Sequence, residues 1–272
     1  MAIISDYHMH SSFSGDSRAP MEEMIQKAIS LGLKQICFTE HQDFDYVYEE
    51  ENPEEFFEIN TDSYLYELLQ LKEKYANQID VFFGVELGMQ THLARKNAAY
   101  VKNHEFDFVI ASSHLCNGQD PYNPSFFEGK TEEESYREYF NYMYDCIYGF
   151  RNFDVYGHLD YILRYGPNKN RNFRYEIYQT EIDRILKLLI DNEKGIEVNS
   201  SGLSYGLGQT HPCREILMRY KELGGEIITI GSDAHTPDRI ASDFDKVREL
   251  LIECGFTQYC VFHGRLPEYL PL

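Results

Sequence analysis

Short apolar runs, often β-branched, alternate with amphipathic stretches along nearly the whole chain. The runs Ile3–Tyr7, Gln35–Thr39, Val81–Val85, Phe108–Ser112, Val155–Gly157, Ile196–Asn199 and Ile227–Gly231 have the length and composition of buried strands, with Tyr259–Phe262 a weaker eighth. The stretches between them carry helix punctuation. Pro20 opens a segment to about Leu31, with Met24, Ala28 and Leu31 on one face and Gly32 as its stop. Thr61–Tyr75 places Leu65, Leu68, Leu69 and Lys72 at helical spacing, and Thr131 with Glu134 reads as a capping box leading into Tyr136–Gly149. Tyr175–Lys194 is striped by Ile182, Ile185, Leu186, Leu189 and Ile190 and ends at Gly195. Pro212–Leu223 and Pro237–Cys254 follow the same pattern, the second with Ile240, Phe244, Val247 and Leu251.

Repeated β-then-α alternation implies an α/β fold with a parallel sheet. A length of 272 residues suits one large barrel or two small domains. Seven or eight units without a linker or composition break favour closure into one barrel, a single domain over residues 1–272. Residues Gln42–Asn60 are acidic, aromatic and irregular, either a loop or lid after the second strand or a solvated insertion.

No stretch approaches twenty apolar residues, and Met1-Ala2-Ile3-Ile4-Ser5-Asp6 has neither a charged n-region nor a long h-region. No membrane span or signal peptide is expected, which places the protein in the cytoplasm. The six cysteines are scattered with no CxxC pair, so they read as small buried residues rather than a disulfide framework or zinc ribbon. A formal charge of −20 repels phosphate backbones and argues against a nucleic-acid partner. A small phosphorylated substrate remains compatible if local cations reverse the field inside a cleft.

The histidines supply such a cleft. Six of the ten follow expected strands: His8 and His10 after the first, His41 after the second, His114 after the fourth, His158 after the fifth, and His235 in Gly231-Ser232-Asp233-Ala234-His235 after the seventh. The third strand ends instead on a carboxylate, in Gly84-Val85-Glu86. Barrel enzymes place their chemistry at the C-terminal mouth, where strand ends converge. In an extended segment residues i and i+2 point the same way, so His8 with His10, and Asp233 with His235, can serve one cavity. A lone strand-end histidine more often caps or hydrogen-bonds. Packing, however, gives no reason for imidazoles to recur at the same end of five strands, and metal ligation does. His92, His104 and His263 read as surface or capping residues, while His211, after a glycine-rich stretch, is a candidate to face substrate.

In order along residues 6 to 235, His-x-His, Thr-Glu-His, Gly-Val-Glu, Ser-Ser-His, Gly-His-Leu-Asp and Gly-Ser-Asp-Ala-His resemble the motifs of the polymerase-and-histidinol-phosphatase (PHP) superfamily. His8-Met9-His10-Ser11-Ser12-Phe13-Ser14-Gly15-Asp16 and the chain length resemble its stand-alone histidinol-phosphate phosphatases. The resemblance implies a distorted (β/α)7 TIM-like barrel holding three metal ions. Carried over motif by motif, His8, His10, Glu86 and Asp233 would hold one ion. Glu86 would bridge to a second, held also by His114 and His158, and Asp16, His41 and His235 would hold the third. Asp16 has an alternative reading as a turn residue after Gly15.

A donor set of imidazole and carboxylate without thiolate suits Mn, Fe or Zn in a hydrolytic role. The expected nucleophile is a metal-bridging hydroxide held by Glu86, with Asp233, attacking phosphorus in line. Three divalent ions bring about +6 against three carboxylates, a cationic pocket in an anionic protein. Arg164 is the expected guanidinium contact to phosphate, with Arg18 a weaker candidate. A second arginine would be expected in the loop after the sixth strand, but Ser204 occupies that place. Asp160 and Glu40 are expected to orient ligand histidines. The resemblance implies hydrolysis of L-histidinol phosphate, a step of histidine biosynthesis. Phosphotyrosine or a nucleotide is the alternative substrate, and a non-catalytic metal-binding barrel the alternative class.

Overall fold

The computed structural model describes residues 3–47 and 56–272. Seven parallel strands lie side by side in sequence order: β1 (Ser5–Asp6), β2 (Gln35–Gln42), β3 (Asp80–Gly88), β4 (Phe108–Ser112), β5 (Val155–Tyr156), β6 (Gly195–Asn199) and β7 (Ile228–Gly231). The two edges meet. Tyr7 N donates to Ile230 O at 3.1 Å, Asp233 N to His8 O at 2.8 Å and His10 N to Ala234 O at 2.9 Å, with a parallel bridge between Met9 and Ala234. The sheet therefore closes as a (β/α)7 barrel, irregular because β1 and β5 have two residues each.

Helices separate successive strands: α1 (Met21–Ser30), α2 (Thr61–Tyr75), α3 (Ala94–Asn103), α4 (Glu132–Gly149), α5 (Tyr175–Asp191), the short α6 (Ser201–Ser204), α7 (Arg214–Glu222) and α8 (Phe244–Glu253). The longer helices turn buried apolar residues inward, as Ile182, Ile185, Leu186 and Leu189 do from α5. The α4 start is a full capping box, Thr131 with Glu134. Residues 237–254, read above as one helix, are instead a 3₁₀ turn at Pro237–Arg239 followed by α8. Ala241 and Asp243 between them have φ of 52° and 60°, and Ala241 N is drawn out of helical pairing to Asp6 Oδ2 at 2.9 Å.

The weak eighth strand is real but lies outside the barrel. β8 (Gln258–His263) and β9 (Leu266–Pro271) form an antiparallel hairpin across the N-terminal ends of the barrel strands. Arg265 N donates to Asp107 O at 2.8 Å, just before β4, and Arg265 Nε meets Asp154 Oδ2 at 2.5 Å, just before β5. With that end covered, the opposite, C-terminal mouth is where strand ends present polar side chains.

Of the acidic segment 42–60, residues 48–55 lie outside the described residues. Its flanks are tied together: Gln42 bridges Glu58, and Asp43 N donates to Phe57 O at 2.7 Å. All six cysteines are buried and unpaired. No described helix is long and apolar enough to cross a membrane.

Candidate metal centre

Two strands run further than their apolar content suggested, and this places two donors. β2 continues through His41 and β3 through Glu86, which are register partners. Glu86, almost fully buried, is the hub. Its Oε1 lies 2.8 Å from His158 Nε2 and 3.2 Å from His114 Nε2. Its Oε2 lies 3.0 Å from His41 Nδ1, 3.2 Å from His8 Nε2 and 3.5 Å from His10 Nε2. His8 and His10 sit at i and i+2 at the β1 end, and their Nε2 atoms are 3.1 Å apart. Both approach Asp233 Oδ1, at 3.6 and 3.5 Å.

Asp233 and His235 share the cavity by a different geometry from the extended pair expected. Asp233 has a φ of 55°, a left-handed conformation that costs a non-glycine residue about 1–2 kcal/mol. Its N–H bond to His8 O holds it there. His235 Nε2 then meets Asp16 Oδ2 at 3.0 Å, and His41 Nε2 meets the same oxygen at 3.5 Å. All nine side chains singled out from sequence thus border one another. The cavity beside them measures about 310 Å³.

The donors fit metal ions better than they fit each other. Glu86 Oε2, His41 Nδ1 and His235 Nε2 are buried with no hydrogen-bond partner, although carboxylate or imidazole atoms lie close by. They lie within 4.8 Å of other possible ligand atoms without the alignment of a hydrogen bond. Three compact donor groups can be drawn, His8–His10–Asp233, His41–Glu86–His114 and His10–His41–His235.

Electrostatics of the bare cluster show the same frustration. Burial favours the neutral form of Glu86, but His8, His114 and His41 outweigh it and hold its carboxyl well below the usual range. Asp233 is depressed likewise, burial being overcome by His8, His10 and His235. Burial opposes protonation of His114, yet Asp43 and Glu86 raise it to about 10. His10, buried and flanked by His41 and His235, is pushed down to about 3.

Two carboxylates that orient the cluster escaped the sequence reading. Glu197 Oε1 lies 2.6 Å from His8 Nδ1, and its Oε2 accepts from His158 N at 3.0 Å. Asp43 Oδ1 lies 2.7 Å from His114 Nδ1. Each leaves the other ring nitrogen facing the cluster. The signals were a lone acid inside the apolar run Ile196–Asn199 and an acid two residues beyond His41. Gly231 is required for the first: a Cβ there would stand 2.3 Å from His8 Cβ and 2.4 Å from Glu197 Oε1.

The two orienting residues named from sequence act otherwise. Glu40 takes three bonds from Ser11 and another from Ser14 Oγ, and only through that hydroxyl, 3.1 Å from His10 Nδ1, does it reach a cluster histidine. Asp160 instead bonds His211 Nδ1 at 2.5 Å and Cys213 N at 2.9 Å. His211 is fully buried against that pair and does not line the cavity, contrary to its candidacy for substrate contact. Arg18 is exposed and also outside the lining. Arg164 does line it: its Nη2 donates to Ser201 Oγ at 2.7 Å and lies 3.7 Å from Asp233 Oδ2, with the guanidinium 4.0 Å over the Tyr205 ring. Tyr46, Phe57, Tyr161 and Tyr165 form the remaining aromatic wall.

A family model of the PHP domain matches residues 6–201, well over half of the chain. The chain belongs to the PHP domain family. Asp233 and His235 fall beyond the matched span, and barrel closure returns them to His8 and His10. Along nearly its whole length this PHP protein is similar to the histidinol-phosphatase of Lactococcus lactis, 32% identical over 95% of this chain and 94% of the relative. It is also 28% identical to a probable histidinol-phosphatase of Thermotoga maritima, over 96% of each chain. A solved structure of the Lactococcus lactis histidinol phosphate phosphatase, complexed with zinc, L-histidinol and phosphate, superposes with a TM-score of 0.88 at 32% identity, covering 97% of this chain and 98% of that one. A solved structure from Listeria monocytogenes, 19% identical with a TM-score of 0.72 over 89% of this chain and 99% of that one, shares the fold.

Proposed function

We propose that this PHP protein is a metal-dependent histidinol-phosphatase, hydrolysing L-histidinol phosphate to L-histidinol and phosphate in the cytoplasm, with residues 1–272 acting as one barrel domain. The observation that carries the reading is the convergence on Glu86 of five imidazoles, in a chain that matches a zinc-, histidinol- and phosphate-bound relative over nearly its full length.

Three divalent ions, of Mn, Fe or Zn, would be held by His8, His10, Glu86 and Asp233; by Glu86, His114 and His158; and by Asp16, His41 and His235. The contacts to Glu86, Asp233 and Asp16 support this division. His41 has one nitrogen toward Glu86 and the other toward Asp16, which makes it the hinge between two groups. Bound ions of this kind supply Lewis acidity, an activated water and neutralisation of phosphoryl oxygens.

The chain's own residues do the rest. Glu86 and Asp233 hold the attacking water. Glu197 and Asp43 fix the tautomers and planes of His8 and His114. Arg164 grips the phosphoryl group; a guanidinium already ordered over Tyr205 and tied to Ser201 loses little freedom on binding. Tyr161, Tyr165, Tyr46 and Phe57 enclose the alcohol and keep water from it. Their π faces suit a planar, cationic imidazole or an ammonium group.

The test is kcat/KM with added Mn²⁺ for histidinol phosphate, phosphotyrosine and nucleotide monophosphates. The reading expects histidinol phosphate to lead by at least about tenfold, the effect of one good charge-assisted contact. A flat profile would remove it.

A further inference from the structure

Beside the metal-ligand cavity, and sharing Tyr205, Asp233 and His235 with it, lies a second cavity of about 220 Å³. Its other lining residues are Ser201, Ser204, Ser232, Thr236, Arg239 and Ser242: five hydroxyls and one guanidinium. Two of these hydroxyls are engaged. Ser232 Oγ donates to Asp6 Oδ2 at 2.6 Å, and Ser201 Oγ accepts from Arg164 while lying 3.3 Å from Asp233 Oδ2. The side chains of Ser204, Thr236, Ser242 and Arg239 make no hydrogen bond or ion pair among the described residues.

Arg239 is exposed and makes no ion pair among the described residues, in a chain of 45 acidic and 25 basic residues. Carboxylates are abundant, yet Asp233, committed to the metal cluster, is the one acid that lines this cavity. The loop carrying Arg239 is also fixed in place. Arg239 N donates to Thr236 O at 3.0 Å and Ser242 N to Arg239 O at 3.1 Å. Asp6 anchors both ends of the loop, accepting from Ser232 N at 3.0 Å and from Ala241 N at 2.9 Å. Unengaged hydroxyls plus a guanidinium on a rigid loop are the donor set of an oxyanion subsite.

We propose that Arg239, with Ser204, Thr236 and Ser242, forms an oxyanion subsite that adjoins the metal-ligand cavity through the shared Tyr205, Asp233 and His235 and contacts the phosphate held there. This deepens the phosphatase reading and rests on it for the identity of the oxyanion. Substrate phosphate and released phosphate both gain the contact, so it contributes to binding and little to turnover.

The experiment is calorimetric titration of inorganic phosphate into the metal-loaded protein, which needs no turnover. Arg239→Gln should weaken binding roughly tenfold or more, and Arg239→Lys should restore part of it. Arg214→Gln, which removes the same charge from an exposed site on α7, should stay within about twofold. KM for histidinol phosphate should rise with Arg239→Gln by a similar factor while kcat changes by less than about threefold. Phosphate affinity in Arg239→Gln within about twofold of the parent, or an equal loss in Arg214→Gln, would overturn the subsite. Phosphate binding that behaves as expected in a protein inert toward histidinol phosphate would sink the substrate reading and leave the subsite standing.

Discussion

Glu86 and His41 are register partners on adjacent parallel strands, and Glu86 Oε2 stands 3.0 Å from His41 Nδ1 without the alignment of a hydrogen bond. Backbone pairing, not side-chain attraction, brings them together. A cation between the donors would satisfy both of these buried atoms.

Glu86→Gln keeps the shape and removes the charge. Outer partners of metal sites typically cost 10–100-fold on mutation, and a hub ligand should exceed that. The expected outcome is a loss of kcat/KM above about 100-fold together with lost metal, read by kinetics and elemental analysis on one preparation. Full metal content with full rate would remove Glu86 from the centre.

Glu197→Gln and Asp43→Asn leave every proposed ligand in place but loosen His8 and His114. Each should weaken metal affinity by about 10–100-fold while the folded barrel persists in circular dichroism. Gly231→Ala should be worse, because the added methyl would collide with both members of the His8–Glu197 pair. Overpacking of this kind costs about 1–3 kcal/mol in chemical denaturation.

Stripped of metal, the protein should respond to pH through the cluster. The folded His114 pKa, about 10, lies above its ordinary 6.5, so its contribution to stability is complete below pH 6.5 and disappears as pH rises through 10. Glu86, Asp233 and Asp16 are depressed, so theirs is present above the ordinary carboxylate range and lost as pH falls below it. Ions need the imidazoles deprotonated, so metal affinity should rise with pH over that alkaline window. The Tm gap between metal-loaded and chelated protein should widen from pH 6.5 to pH 9. A constant gap would mean that protons and metal do not compete for His114.

Arg164→Met should raise KM and lower kcat/KM by roughly 10–100-fold, the worth of a charge-assisted contact to phosphate, with metal content unchanged. Unaltered KM would place the phosphoryl group elsewhere in the cavity.

Arg265→Met leaves Asp154 buried, with the Val109 N–H still bonded to it and its ion-pair partner gone, while Lys194 remains in its electrostatic surroundings. Breaking a buried pair costs about 3–5 kcal/mol, and partial exposure of the arginine reduces this to about 2. Urea denaturation should show the loss, and metal bound per folded molecule should stay the same.

Sequence carried the barrel because each strand is a short apolar run bounded by helix punctuation, a local pattern that tertiary contacts did not override. It pointed to the clustered side chains because imidazoles at strand ends have no packing rationale. What it could not show depends on contacts distant in the chain. Glu197 meets His8 across 189 positions, and a carboxylate inside a strand looks the same whether it faces solvent or a histidine. His211 was misplaced because proximity to a glycine-rich loop says nothing of which side the ring takes, and Asp160 draws it into the interior. The break at Ala241 follows from Asp6 capturing its N–H, 235 residues away.

The most direct measurement is turnover of L-histidinol phosphate and metal content on one preparation, as purified, after chelation, and after restoring Mn²⁺ or Zn²⁺. The account predicts that rate and bound metal fall together and return together, with up to three ions per chain at full activity. A chelated protein that holds no metal and still hydrolyses the substrate at the original rate would contradict it.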